Sequence, residues 1–171
     1  MNKMLKISIV IGTRPEAIKL APLLLELISC DDIEERIILT GQHKEIVDSV
    51  MQLFSLKANN DLNLMLHGQS LTHITCSSLQ GLRDDFLKFP PDLVIVQGDT
   101  TTAFSAALSA FYEKIPLGHV EAGLRTDNLY APFPEEANRR LISQIANIHF
   151  APTLQAKENL LASGIKENIY I

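Results

Sequence analysis

Short continuous apolar runs alternate with longer stretches whose apolar residues recur at helical spacing, the pattern of a parallel sheet covered on both faces. The runs predict strands at Ile7 to Ile11, Arg36 to Thr40, Leu62 to Met65, Leu93 to Gln97, Leu117 to Glu121, Ile148 to Ala151 and Ile169 to Ile171. Helices are predicted over Pro15 to Cys30, Thr101 to Tyr112, about Thr153 to Ser163, and across most of the other gaps. In the first helix Ile18, Ala21, Leu25 and Ile28 share one face and are expected to form its core stripe. In the second, Ala103, Ala106, Ala107 and Ala110 line one side, so that its axis can lie close to the sheet. The expected fold class is α/β, a Rossmann-like doubly wound parallel sheet. The long irregular segment is Ala122 to Pro132, and loops of that length in compact domains are usually functional.

Composition narrows the classes. A chain of 171 residues can close one core, and 46% hydrophobic with 20% charged residues is ordinary for a globular domain. A net charge of -5 without a basic run excludes a nucleic-acid footprint. No apolar run approaches the roughly 20 residues needed to span a bilayer. Met1 to Lys6 leads into a strand rather than a signal-peptide core, so no membrane partner is expected and the cytoplasm is the default location. Cys30 and Cys76 lack CxxC neighbours and each ends or interrupts an apolar helical stretch, so both are expected to be reduced core thiols. The chain ends at Ile171 inside a predicted strand, with no polar tail, which is the expectation for a truncated chain.

The candidate chemistry gathers at strand ends. Asp99 follows the strand ending at Gln97, Glu121 ends the strand beginning at Leu117, and the PFPEE segment carries Glu135 to the start of a helix. All strands of a parallel sheet present their carboxyl ends to one edge, so these acids should converge there. Asp99 could instead cap the following helix, the commoner role for Asp in that position. Glu121 is harder to account for structurally, because a carboxylate closing a buried strand needs a partner or a task. Two carboxylates about 5 Å apart on neighbouring strands would raise one proton affinity and suit an acid and base pair. Glu135 and Glu136 lie in a first helical turn, which favours acids anyway.

The first turn reads IGTRPEAIK. Gly12 permits close backbone approach, Thr13 and Glu16 have capping-box spacing, and Pro15 is tolerated in a first turn. Arg14 beside the helix N-terminus is a candidate phosphate contact, although a capped helix with a solvated Arg fits equally. A single glycine is not the dinucleotide fingerprint, so a different phosphate-bearing ligand is expected and no nicotinamide cofactor. No histidine pair has metal-ligand spacing, and His119 and His149 fall within strands as structural residues. His43, in TGQHKE, sits at the same edge as the acids and is the histidine best placed for a ligand.

Taken together, GTRPEAIK, TGQHKE, GDTTT, HVEAGLRT and PFPEEANRR resemble the non-hydrolysing UDP-N-acetylglucosamine 2-epimerases, in order and spacing, from residue 12 to residue 140. The resemblance implies a fold similar to GT-B glycosyltransferases, with two Rossmann-like domains of which residues 1–171 would be the N-terminal one and the second is absent. It implies interconversion of UDP-N-acetylglucosamine and UDP-N-acetylmannosamine by elimination and re-addition of UDP, without cofactor or metal, in cell-surface polysaccharide biosynthesis. By motif, Asp99, Glu121 and Glu135 match catalytic acids, and Gly12, Arg14 and Pro15 match the nucleotide-binding turn. Gln42 and His43 match a region where some members bind a second, regulatory nucleotide sugar. A UDP-sugar is the implied substrate, and a homodimer and a separate C-terminal half are left open as partners. A catalytic histidine would come from the second domain, so activity of this chain alone is not expected. A GT-B glycosyltransferase domain, or a non-catalytic truncated domain, are the alternatives.

Overall fold

A doubly wound sheet requires strands apolar on both faces, and the central runs meet that requirement. The computed structural model describes residues 4–41, 44–64, 68–126 and 128–171. Its elements are β1 (Leu5–Ile11), α1 (Arg14–Ile28), β2 (Ile33–Leu39), α2 (Lys44–Leu53), β3 (Asn60–Asp61), α3 (Leu71–Lys88), β4 (Leu93–Gln97), α4 (Thr101–Tyr112), β5 (Leu117–Val120), α5 (Glu135–Ile145), β6 (Ile148–Phe150), α6 (Leu154–Ala162) and β7 (Ile169–Tyr170). The strands form one parallel sheet in the order β3-β2-β1-β4-β5-β6-β7. The chain winds outward from β1 to β3, then returns to the other side of β1 at β4. That reversal makes the carboxyl edge between β1 and β4 the topological switch point, where open α/β sheets bind ligands.

Alternation along each strand feeds two cores. Ile7, Ile9, Ile11, Ile37, Leu39 and Ile95 pack against α1 and α2. Val10, Ile38, Val94, Val96 and Leu117 face the other way, toward α3, α4 and Ile142 of α5. The alanines of α4 lie in this second core, all but fully buried, as their spacing predicted.

Three expectations fail. The apolar stripe of α1 is offset by one residue: Ala17, Leu20, Ala21, Leu24 and Leu27 are buried, whereas Ile18, Leu25 and Ile28 are 43%, 46% and 49% exposed. The helix is apolar around most of its girth, so periodicity alone fits either face. The third strand is not Leu62 to Met65 but Asn60–Asp61, and Met65 lies outside the described residues. Leu62 and Leu64 still bond back to Leu39 and Thr40, but Asn63 between them adopts a left-handed φ of 47°, which breaks the extended run. Asn59 and Asn60 hold the strand from their side chains instead, Asn59 accepting from the Ile37 N–H and Asn60 donating to buried Asp85. The cysteines are free thiols but not core residues, since Cys30 is half-buried and Cys76 exposed.

The assignment of the α1 face can be tested by paired truncation. Leu24→Ala should lower the unfolding free energy by about 2 to 5 kcal/mol. Leu25→Ala should change it by less than about 1 kcal/mol. Urea unfolding curves in which the Leu25 variant loses as much as the Leu24 variant would contradict the assignment.

Candidate active site

β4 and β5 are neighbours in register, so the two acids that follow them leave the sheet side by side. Each is gripped by a cation from a different helix. The Asp99 carboxylate pairs with Arg139 of α5, and Asn138 of the same helix donates to the Asp99 carbonyl at 2.8 Å. Glu121 receives Lys19 Nζ of α1 on both oxygens, at 2.8 and 2.7 Å, and the Gln97 amide as well. Asp99 is not the cap of α4: that role belongs to Thr100, whose hydroxyl accepts from the Ala103 N–H. Burial pushes the Asp99 carboxyl above its ordinary value against the pull of Arg139, and the charges of Glu135 and Glu121 push it the same way. Both glutamates therefore lie near enough to Asp99 for their charges to reach it.

The backbone at Glu121 has φ 67°, a left-handed conformation uncommon for a residue with a side chain. Outliers of this kind gather at functional sites, where the surroundings over-determine them. The surroundings here are unusually well tied. Gly123, at φ 92°, passes so close to α6 that a Cβ would come within 2.2 Å of the Ala156 carbonyl oxygen. Asn159 of α6 donates to the Gly123 carbonyl, and Ala122 N–H bonds to Phe150. Further along the loop, the fully buried Glu136 accepts from Thr126 N–H, Arg140 Nε and Arg139, while Arg140 also donates to the Thr126 carbonyl.

A second buried carboxylate stands at the switch point. Glu16, 2% exposed, accepts from the N–H groups of Gly12 and Thr13 at 2.5 and 2.9 Å and from the Thr100 hydroxyl at 2.6 Å. It thereby ties the first turn to the cap of α4, and burial raises its carboxyl above the ordinary value despite these donors. The capping-box spacing predicted the Thr13 bond, but the span to Thr100 had no local signal. Gly12 is needed for a steric reason, since a Cβ there would lie 2.8 Å from the Thr102 side chain. Its N–H is committed to Glu16, so Gly12 has no free donor for a ligand. Arg14 and Pro15 stand exposed at the same edge, and Arg14 has no ion-pair partner among the described residues. Glu135 is half-buried in the first turn of α5, and Gln42 and His43 lie outside the described residues. Sequence motifs do not single out Lys19, Gln97 or Arg139 as site residues, although Lys19 lies in GTRPEAIK and Arg139 in PFPEEANRR, and Glu136 reads there only as a first-turn acid. Among the described residues no cluster of three or more His, Cys, Asp or Glu could hold a metal, and no helix is long and apolar enough to cross a membrane.

The fold and these acids define a class: a Rossmann-like α/β domain with carboxylates gathered at the carboxyl edge of its parallel sheet. The chain belongs to the UDP-N-acetylglucosamine 2-epimerase family, whose model matches residues 26–171. It is 54% identical over 161 residues to UDP-N-acetylglucosamine 2-epimerase of Neisseria meningitidis serogroup A, covering 94% of this chain and 43% of that protein. A crystal structure of the N. meningitidis UDP-GlcNAc 2-epimerase bound to UDP-GlcNAc matches with a TM-score of 0.95 at 52% identity, over 98% of this chain and 45% of that one. A lipopolysaccharide outer core galactosyltransferase shares the fold with a TM-score of 0.68 at 13% identity, over 98% of this chain and 45% of its own. The chain thus spans less than half the length of the relatives it matches, aligning with their N-terminal part.

His119 and His149 pair across β5 and β6 and are both buried, as their strand positions predicted. Burial lowers both proton affinities, His119 from 6.5 to about 4. An imidazole kept neutral by the fold takes its proton more readily when unfolded, so its contribution to stability is complete above about pH 6.5 and is lost as pH falls toward 4. Glu16 and Asp99, both raised, act in the opposite sense, so a difference measurement is needed. Between pH 7 and pH 4.5, urea unfolding should show wild type losing roughly 2 to 3 kcal/mol more than His119→Gln. Equal losses would show that His119 is not held neutral.

Proposed function

We propose that this chain is the N-terminal domain of a two-domain, GT-B-type UDP-N-acetylglucosamine 2-epimerase. The observation that carries the reading is the pairing of two carboxylates at adjacent strand ends, each with its own cation, beside a third acid. Epimerisation at C2 by elimination needs such a set. A carboxylate removes the C2 proton, the C–H pair forms the C1–C2 double bond, and the C1–O bond to the pyrophosphate breaks. Return of UDP to C1 with protonation of the opposite face of C2 gives the epimer. Opposite faces require two proton-transfer groups, and Asp99, Glu121 and Glu135 supply them. Arg14 serves the departing pyrophosphate, with Gly12 and Pro15 shaping the turn that presents it.

The shared length with the relatives supports a second domain, carried further along the same protein or as a separate chain, that completes the phosphate and uridine contacts. A UDP-sugar as substrate, the cytoplasm as compartment, a homodimer, and regulation at Gln42 and His43 belong to the same proposal. Exposed Phe111 and Tyr112, at the end of α4, offer an apolar surface for the second copy. A glycosyltransferase domain would use the same architecture, but it does not call for three converging acids in these motifs.

Solvent deuterium should enter C2 of the sugar when this chain is joined to the remaining portion of the N. meningitidis relative, and not with the chain alone. In the joined protein, Asp99→Asn or Glu121→Gln should lower kcat by about two to four orders of magnitude. Wild-type turnover in both variants would falsify the catalytic assignment. Arg14→Ala should weaken UDP binding in calorimetry by roughly 1.5 to 3 kcal/mol, the range for charge-assisted hydrogen bonds. Unchanged affinity would take Arg14 out of the site.

A further inference from the structure

The end of β4 poses a local problem. Gly98 turns into the left-handed region at φ 75°, so the strand ladder stops there while its peptide groups are still enclosed. Its N–H reaches the Val120 carbonyl at 3.0 Å. Its carbonyl begins the peptide leading to Asp99. His119 Nε2 lies 2.8 Å from that oxygen. A carbonyl can only accept, so Nε2 carries the proton and the imidazole is fixed as one tautomer.

We propose that His119 is a positioning residue for the reaction, fixing the Gly98 carbonyl through its Nε2–H and so setting the direction in which the Asp99 carboxylate leaves the sheet. The proposal rests on the catalytic reading of Asp99. With this bond, Asp99 is held at both of its peptide groups by side chains, His119 on one side and Asn138 on the other. Its carboxylate is held by Arg139, so every part of the residue is anchored to α5 or β5.

Stability alone does not explain the histidine. It is fully buried between Val96 and His149, where an apolar side chain would serve the sheet. Its Nδ1 has no hydrogen-bond partner among the described residues. One buried nitrogen left unpaired costs about as much as the other nitrogen's bond returns, so the imidazole brings the fold little net gain. What it adds is direction, and a displacement of about 1 Å in a reacting group can cost on the order of a hundredfold in rate.

The test compares three substitutions. Gln can present an amide N–H where Nε2 stood, Asn is too short to reach, and Phe fills the volume without a donor. In the joined protein, His119→Gln should keep kcat within about tenfold of wild type. His119→Asn and His119→Phe should lower it by on the order of a hundredfold with KM within about threefold. A second readout needs no turnover: the carbon-13 carboxyl titration of Asp99 in the chain itself should shift in the Phe variant and stay near wild type in the Gln variant. Equal loss of kcat in the Gln and Phe variants, or an Asp99 titration unmoved by Phe, would overturn the proposal. If the Phe variant does not fold, the Gln and Asn pair decides by the same two measurements. If the joined wild type itself does not turn over, the epimerase reading fails, and the Asp99 titration still decides whether His119 positions that carboxylate.

Discussion

Two carboxylates at the ends of adjacent central strands are each matched by a cation, because partial withdrawal of an ionised group from water has to be offset. That requirement organises the carboxyl edge of the sheet. Arg139 serves Asp99 from α5, and Lys19 serves Glu121 from α1. The two helices pack on opposite faces, α1 in the core built on Ile9 and Ile37, α5 in the core built on Val94 and Val96. Each acid is therefore paired across the sheet edge by a helix whose own position is set by apolar burial. The charges share one edge of the sheet only because both cores are correctly formed.

Behind these pairs lies a layer of buried polar groups that carry no exposed chemistry of their own. Glu16 joins the first turn to the cap of α4, and Glu136 joins the long loop to α5. Both satisfy N–H groups that have no ladder partner, which is the obligation any irregular segment incurs when it is buried. The left-handed backbone at Glu121 fits this picture. A conformation of that kind costs on the order of 1 to 3 kcal/mol, and the ties at Ala122, Gly123 and Thr126 hold it in place. The galactosyltransferase that shares the fold at 13% identity makes the complementary point. The architecture provides an edge and a switch point, and the side chains placed there select the chemistry.

The sequence by itself determined the elements, their alternation and the parallel sheet, because short apolar runs bounded by polar turns leave few other foldings. It also placed Asp99 and Glu121 at one edge, since parallel strands present all their carboxyl ends there. The alanine face of α4 was legible for a similar reason, as small residues at one helical spacing have a single efficient use. The tertiary structure decided what local pattern leaves degenerate. On α1 apolar residues lie on both faces, so only packing into the core that holds Ile9 and Leu39 distinguishes Leu24 from Leu25. At β3 one left-handed residue, Asn63, ended a run that hydropathy would have extended. The partners of the acids were beyond reach for a different reason: Lys19 and Glu121, Asp99 and Arg139, and Glu16 and Thr100 are separated by tens of residues. Pairing across such distances is specified by the closure of the fold, and no spacing along the chain encodes it.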